Sequence, residues 1–147
     1  MGKKDYDPAM HTAEHILNQT MDRMFACGRS FNAHIEKKKS KCDYRFSRPL
    51  TAEEISAVEG TVNRIIDQNL PVTERTVTRS EAEARFFTGK LPADAGETIR
   101  VVSVGDYDAC PCIGRHARST SEITGFRLLS ASHENGVLRI RFTLRSV

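Results

Sequence analysis

Apolar positions along the 147-residue chain fall into segments of two different periods. From residue 8 to about 25, Met10, Ala13, Leu17, Met21 and Met24 recur at three- and four-residue spacing, the mark of a helix with one face turned to a core. Asp7 followed by Pro8 is a helix start, because proline's missing N–H costs nothing at the first helical position, and Gly28 is a stop. Thr51 and Glu54 form a T-x-x-E capping box ahead of Ile55, Val58, Val62, Ile65 and Ile66, which predicts a second helix running to about Asn69, before Pro71. Ser80 with Glu83 repeats the capping pattern over a short third helix.

Between these helices the period drops to two. Residues 31–35 and 41–46 alternate like a hairpin with a lysine run between them, and 72–78 and 98–104 read as strands. Residues 126–131 and 137–144 flank His133-Glu134-Asn135-Gly136, whose Asn-Gly pair is a strong hairpin-turn signal. Residues 91–96 and the stretch after Val104 read as loops. The order lacks regular β-α-β alternation, so the expected fold is α+β, with helices packed on a mainly antiparallel sheet. The length fits a single domain over residues 1–147, burying roughly two-thirds of its unfolded surface.

Composition narrows the classes. At 39% hydrophobic and 28% charged, the chain is globular and not disordered. No apolar run approaches the ~18 residues of a membrane span and the short charged start is no export signal, so a cytoplasmic protein without a membrane partner is expected. In a reducing compartment, cysteines serve metal binding or catalysis more often than disulfides. Cys27 and Cys42 read as ordinary buried or half-buried residues; Cys110 and Cys112 do not. The net charge of +3 is modest but uneven, with Lys37, Lys38, Lys39, Lys41, Arg45 and Arg48 close together. That cluster is either a solvated strand edge or a patch that contacts phosphates.

Two stretches carry chemistry. His11-Thr12-Ala13-Glu14-His15 lies on the first helix, where i,i+4 spacing brings both rings to one face about 5–6 Å apart. On a wheel of about 100° per residue, the apolar stripe spans about 80°, and His11, His15, Asn18 and Asp22 cluster well over 90° from its centre. The five residues match the H-x-x-E-H signature of inverted zinc peptidases, whose third ligand is a distant glutamate in a much larger chain. Glu14, the general base of that reading, sits about 60° to one side of His11 on the wheel, where a salt bridge fits equally well. The second stretch is Asp106-Tyr107-Asp108-Ala109-Cys110-Pro111-Cys112-Ile113-Gly114-Arg115-His116. Its Cys112-x-x-x-His116 adds a soft thiolate and an imidazole, completing a tetrahedral N/S set suited to zinc, with Cys110 as a fifth candidate. Three ligands leave an open catalytic position and four usually close a structural one, so counting leaves both readings open.

Taken with Asp43-Tyr44-Arg45-Phe46-Ser47, Leu50-Thr51-Ala52-Glu53-Glu54, Asn69-Leu70-Pro71-Val72, Val104-Gly105-Asp106-Tyr107 and the segment from Thr120 to Phe126, these motifs form an ordered set covering nearly the whole chain. The set resembles the free-standing alanyl-tRNA editing proteins, and is similar to the editing domain of alanyl-tRNA synthetase and the second additional domain of threonyl-tRNA synthetase. The resemblance implies an α+β editing domain that hydrolyses the ester joining a wrong amino acid, typically serine or glycine on alanine tRNA, to the terminal adenosine. It implies His11, His15, Cys112 and His116 as the zinc site and catalytic set, and Asn32 as a pocket residue, with Ser30 and His34 as alternatives. Mischarged tRNA would be the partner, with Lys37, Lys38, Lys39 and Lys41 on its phosphates. Where relatives read Cys-Gly-Gly-Thr-His, this chain has Cys112-Ile113-Gly114-Arg115-His116, which removes a close backbone approach and offers Arg115 as a substrate contact. Against this stand a non-catalytic zinc-stapled tRNA-binding module and a small zinc peptidase.

Overall fold

The computed structural model describes residues 7–85 and 96–145. Most of the loop expected at 91–96 therefore lies outside the described residues. Helix α1 (Pro8–Phe25) begins as expected: the Asp7 carboxylate accepts from the backbone N–H groups of Ala9 and Met10 at 2.9 and 3.1 Å. It ends two residues before Gly28, at Ala26, whose left-handed φ of 54° lets its N–H reach the carbonyl of Asp22 at 2.8 Å. Strands β1 (Asn32–His34) and β2 (Ser40–Arg45) form the expected hairpin, with Lys37, Lys38 and Lys39 exposed between them.

Helix α2 (Ala52–Ile66) carries the capping box, Glu54 N to Thr51 Oγ1 at 3.1 Å and Thr51 N to Glu54 Oε1 at 2.9 Å. It stops three residues short of the expected end because Asn69 turns left-handed (φ 55°) and Thr120 closes the end. The Thr120 hydroxyl donates to the Ile66 carbonyl at 2.9 Å and accepts from Leu70 N at 2.8 Å. Strand β3 (Val72–Thr78) leads into α3 (Arg79–Arg85). That helix is capped two residues earlier than Ser80, by Thr78 Oγ1 accepting from Glu81 N at 3.0 Å. Then come β4 (Thr98–Val104), β5 (Asp108–Pro111), β6 (Phe126–Glu134) and β7 (Val137–Leu144). Asn135 and Gly136 make the β6–β7 turn with φ of 52° and 77°, the positive pair that a two-residue hairpin loop demands.

The expected single sheet is two antiparallel ones, in the orders β1-β2-β7-β6 and β3-β4-β5. Strand β5 was expected as loop: it is four residues long, contains a proline, and alternates with Asp108 and Cys110 inside and Ala109 outside, so its polarity conceals its period. The α+β class holds. Helices α1 and α2 cover one face of the four-stranded sheet and bury Met10, Ile16, Leu17, Met21, Val58 and Val62 against Cys42, Tyr44, Leu138, Ile140 and Phe142. Full burial of a side chain such as Leu17 stabilises by about 1.5–3 kcal/mol. Met24, grouped with that stripe in the sequence, is 39% exposed in the last turn of α1. Cys42 is buried and Cys27 half-buried, as expected. A smaller core of Val77, Ala82, Ile99 and Val101 lies under α3. Among the described residues no helix is long and apolar enough to cross a membrane.

Candidate metal centre

The middle of the polar face of α1 is buried, with His11 half-buried before it and Asp22 exposed after it. His15 and Asn18 are 3% and 2% exposed, because α1 lies against β5 on one side while its stripe meets the main core on the other. The loop after β5 then carries Cys112 and His116 over the first turns of α1. His11, His15, Cys112 and His116 come together, their ligand atoms all within 4.8 Å of one another. Cys112 Sγ lies 3.5 Å from both His11 Nε2 and His116 Nε2. The rings of His11 and His116 stack at 4.2 Å, and His15 meets them edge-on at 5.1 and 4.4 Å.

The partners on the outer side of each ring settle which nitrogen faces inward. His11 Nδ1 is 3.2 Å from the carbonyl of Arg115, which can only accept, so Nδ1 carries a proton and Nε2 is the atom that faces inward. Thr12 Oγ1 gives its one hydrogen to the Pro8 carbonyl at 3.1 Å, so it accepts both from Ala117 N at 3.0 Å and from His116 Nδ1 at 2.9 Å. His15 Nδ1 is buried and faces Asp108 Oδ2 at 3.5 Å, a stretched contact that leaves it without a good hydrogen bond. All three Nε2 atoms therefore turn toward Cys112 Sγ. Outward Nδ1 held by a carbonyl at His11 and a hydroxyl at His116, with a carboxylate facing it at His15, is the outer-shell arrangement of metal-binding histidines, so the residues present fit a zinc ion.

Without a metal, protons bridge the four side chains, and a zinc ion would displace them. Burial resists ionisation of Cys112, but hydrogen bonds from His11, His116 and His15 outweigh it and bring the thiol down to about 3. Burial also pushes His116 down to about 4, which keeps it neutral and able to ligate. At His15 burial is overcome by Asp108, Cys112 and Glu14, which raise it to about 9. Cys110 is different. Burial pushes its thiol up to about 12, its Sγ donates to the Pro111 carbonyl at 3.5 Å, and it does not join the cluster.

Behind the ligands sit residues that the sequence did not single out. Asp108 accepts from both guanidinium nitrogens of Arg29, at 2.7 and 3.2 Å, and from Gln19 at 2.8 Å. Arg29 and His15 hold the Asp108 carboxyl at about 2 against the opposing effect of burial. Arg100 donates to the carbonyls of Cys112 and Gly114 at 3.0 and 2.7 Å and so pins the ligand loop to β4. No motif marks Thr12, Arg29 or Arg100; their role exists only through contacts distant in sequence. Ile113 is 77% exposed, so the loop accommodates its side chain by facing it to solvent.

Glu14 proves to be neither solvent-facing nor merely at the edge of the core. It is 4% exposed, with Oε1 3.7 Å from His11 Nε2 and 3.9 Å from His15 Nε2. Its other oxygen accepts from Asn18 at 2.8 Å, and Asn18 in turn accepts from Tyr44 OH at 2.7 Å and Ser30 N at 3.2 Å. Of the expected substrate residues, Ser30 is therefore tied to the cluster through Asn18 and Glu14, and Arg115 through its carbonyl. Asn32 and His34 are not brought there. They pair with Asp43 and Lys41, whose side chains alternate with those of Cys42 and Tyr44, and so point from the sheet face opposite α1.

An α+β fold with a His/Cys cluster between its first helix and a late strand defines the class, and similarity supplies the family. Residues 99–141, from β4 through most of β7, match the family described as threonyl and alanyl tRNA synthetase second additional domain. The chain is 34% identical over 140 residues to the alanine–tRNA ligase of Aeropyrum pernix and 30% over 139 to that of Ignicoccus hospitalis, in each case 90% of this chain and 15% of the relative. The Parvibaculum lavamentivorans alanine–tRNA ligase is 32% identical over 153 residues, covering 93% of this chain and 16% of that protein. This chain belongs to the second-additional-domain family of threonyl and alanyl tRNA synthetases, and spans about one-sixth of the curated relatives it matches.

Proposed function

We propose that this chain removes wrongly attached amino acids from tRNA, hydrolysing the ester at the terminal adenosine, with serine or glycine on alanine tRNA as the expected substrates. The observation that carries the reading is the convergence of three imidazole nitrogens and one ionised thiol, with the rings of His11 and His116 held from behind by hydrogen bonds, in a chain similar to alanine–tRNA ligases. His11, His15, Cys112 and His116 would hold zinc. When bound, zinc supplies Lewis acidity, toward a carbonyl oxygen or a water molecule.

The chain's own residues have narrower tasks. Thr12, Asp108 and the Arg115 carbonyl keep the ring nitrogens aimed, and Arg100 keeps the Cys112 loop in place. An aminoacyl ester is already activated, so orientation of the attacking water and stabilisation of the developing oxyanion account for most of the task. Lys37, Lys38, Lys39 and Lys41, on the β1–β2 hairpin, would meet tRNA phosphates. A second reading, a closed zinc staple on a tRNA-binding module, is favoured by the count of four ligands.

Incubation of the protein with seryl-, glycyl-, alanyl- and threonyl-tRNA, with and without a chelator, tests the first reading. Accelerated ester loss from a mischarged tRNA is expected, and none on any of the four overturns it. Cys112→Ala separates the two readings: a catalytic site loses deacylation with its melting temperature nearly unchanged, whereas a staple loses its fold.

A further inference from the structure

The face of the four-stranded sheet turned away from α1 and α2 has no role in the site described above. Its composition follows from the register. Cys42, Tyr44, Leu138, Ile140 and Phe142 point into the core, so the residues alternating with them point out. On β2 and β7 these are Lys41 opposite Arg141, Asp43 opposite Arg139, and Arg45 opposite Val137. On β6, Arg127 lies opposite Thr143; the bulge at Leu129 then restores the alternation so that Ser130 and Ser132 face Arg141 and Arg139. Five cations, Lys41, Arg45, Arg127, Arg139 and Arg141, thus share a face with two carboxylates, Asp43 and Glu134.

Asp43 is already neutralised, gripped by Arg139 at 2.7 and 2.9 Å, and that grip holds its carboxyl below the usual range. Among the described residues Lys41, Arg127 and Arg141 make no ion pair within 4.0 Å, Lys41 acting on Asp43 only at longer range, while Arg45 lies 3.9 Å over the exposed ring of Phe31. The helices described are all placed elsewhere: α1 and α2 on the inner face, α3 on the second sheet. Two concavities open on the outer one. One of about 230 Å³ is lined by three cations, Lys39, Lys41 and Arg141, with His34, Ser40 and the single acid Glu36, and one of about 410 Å³ by Phe31, Asp43, Glu134, Val137 and Arg139 among others.

A row of cations on an antiparallel sheet, spaced about 6.4–6.8 Å along each strand and about 4.7–4.9 Å between strands, fits a polyanion of regular charge spacing. An arginine stacked on an exposed phenylalanine adds a π surface of the kind on which unpaired bases lie. We infer that the outer face of the β1-β2-β7-β6 sheet is an RNA-binding platform, with Lys41, Arg127 and Arg141 on phosphates and Phe31 with Arg45 receiving a base. It extends the Lys37–Lys39 hairpin, and rests on the reading of this chain as a tRNA-binding protein. It places the principal RNA contacts on the side of the sheet opposite the His/Cys cluster, so an acceptor arm held there must pass its single-stranded end around a sheet edge.

The test is binding, measured by fluorescence anisotropy with an uncharged RNA stem-loop ending in a single-stranded 3′ tail, on wild type and on Arg127→Glu/Arg141→Glu. A dissociation constant at least tenfold higher for the double variant is expected, with a salt dependence shallower by roughly 1.5 to 2 in log–log slope. A thermal melt matching wild type excludes misfolding, and Arg141→Ala should show a smaller loss in the same direction. Unchanged RNA affinity in both variants overturns the proposal, as does a polyglutamate peptide of equal charge binding wild type as tightly as the RNA, which would identify an acidic protein as the partner. Because no ester is cleaved in this assay, the platform can fail while deacylation stands, and deacylation can fail while the platform stands.

Discussion

Two arginine–carboxylate pairs of nearly identical geometry perform different tasks in this molecule. Arg48 meets Glu54 at 2.8 and 2.9 Å at the start of α2, and Arg29 meets Asp108 at 2.7 and 3.2 Å behind the His/Cys cluster. The surface pair is the better fork, and its Glu54 also closes the capping box. Both carboxyls are held at about 2, but Glu54 has little burial to overcome, whereas Asp108 reaches that value against burial as the largest opposing influence. Burial, and not hydrogen-bond length, separates a pair that merely decorates a helix end from one on which neighbouring groups depend. Water can replace either partner at the surface; behind the cluster nothing replaces Asp108 for Arg29 and His15.

The largest effect should come from breaking the inner pair. Asp108→Ala strands the Arg29 guanidinium in the interior and removes the group facing His15, so denaturant unfolding should show a loss of about 3–5 kcal/mol. A loss under about 1 kcal/mol would mean that water reaches this pair as it reaches a surface one. Next in size is Thr12→Val, which keeps the side-chain shape but removes the acceptor for His116 Nδ1 and Ala117 N. Its expected outcome is a roughly 10- to 100-fold weaker zinc affinity by competition with a chromogenic chelator. Equal affinity would show that the ring is held by packing alone.

The smallest effect is at the outer pair. The Glu54 carboxyl lies below its ordinary 4.5 in the folded chain, so its contribution is fully present above pH 4.5 and is lost as pH falls through about 2. Arg48→Ala should lower the thermal midpoint slightly at neutral pH and by less near pH 2, so that its decline across that acid window is flatter. An unaltered acid profile would assign the lowered carboxyl to the capping box instead.

How far the sequence carries is visible element by element. The starts of α1 and α2 were legible because Asp7-Pro8 and Thr51-x-x-Glu54 are local chemistry: the capping groups lie within three residues of the N–H groups they satisfy. The Asn135-Gly136 turn was legible for the same reason. Strand β5 was not, because its pairing with β4 imposes a direction on side chains whose polarity runs against it. The end of α2 was misplaced because its stop signal, Thr120, lies more than fifty residues away.

The candidate site divides along the same line. The four possible ligands could be named from spacing, since i,i+4 on a helix and Cys-x-x-x-His in a loop each bring two donors to one side. By itself the sequence thus determined the helices, the hairpin and the identity of the donors, all of which depend on neighbours within about a turn. Only the tertiary structure decided that the histidine face of α1 is buried, that Thr12, Asp108 and the Arg115 carbonyl choose the inward nitrogens, and that Cys110 turns away while Cys112 turns in. Those outcomes depend on groups roughly ninety to a hundred residues apart meeting in one desolvated place, and burial and hydrogen-bond direction come into being only with that meeting.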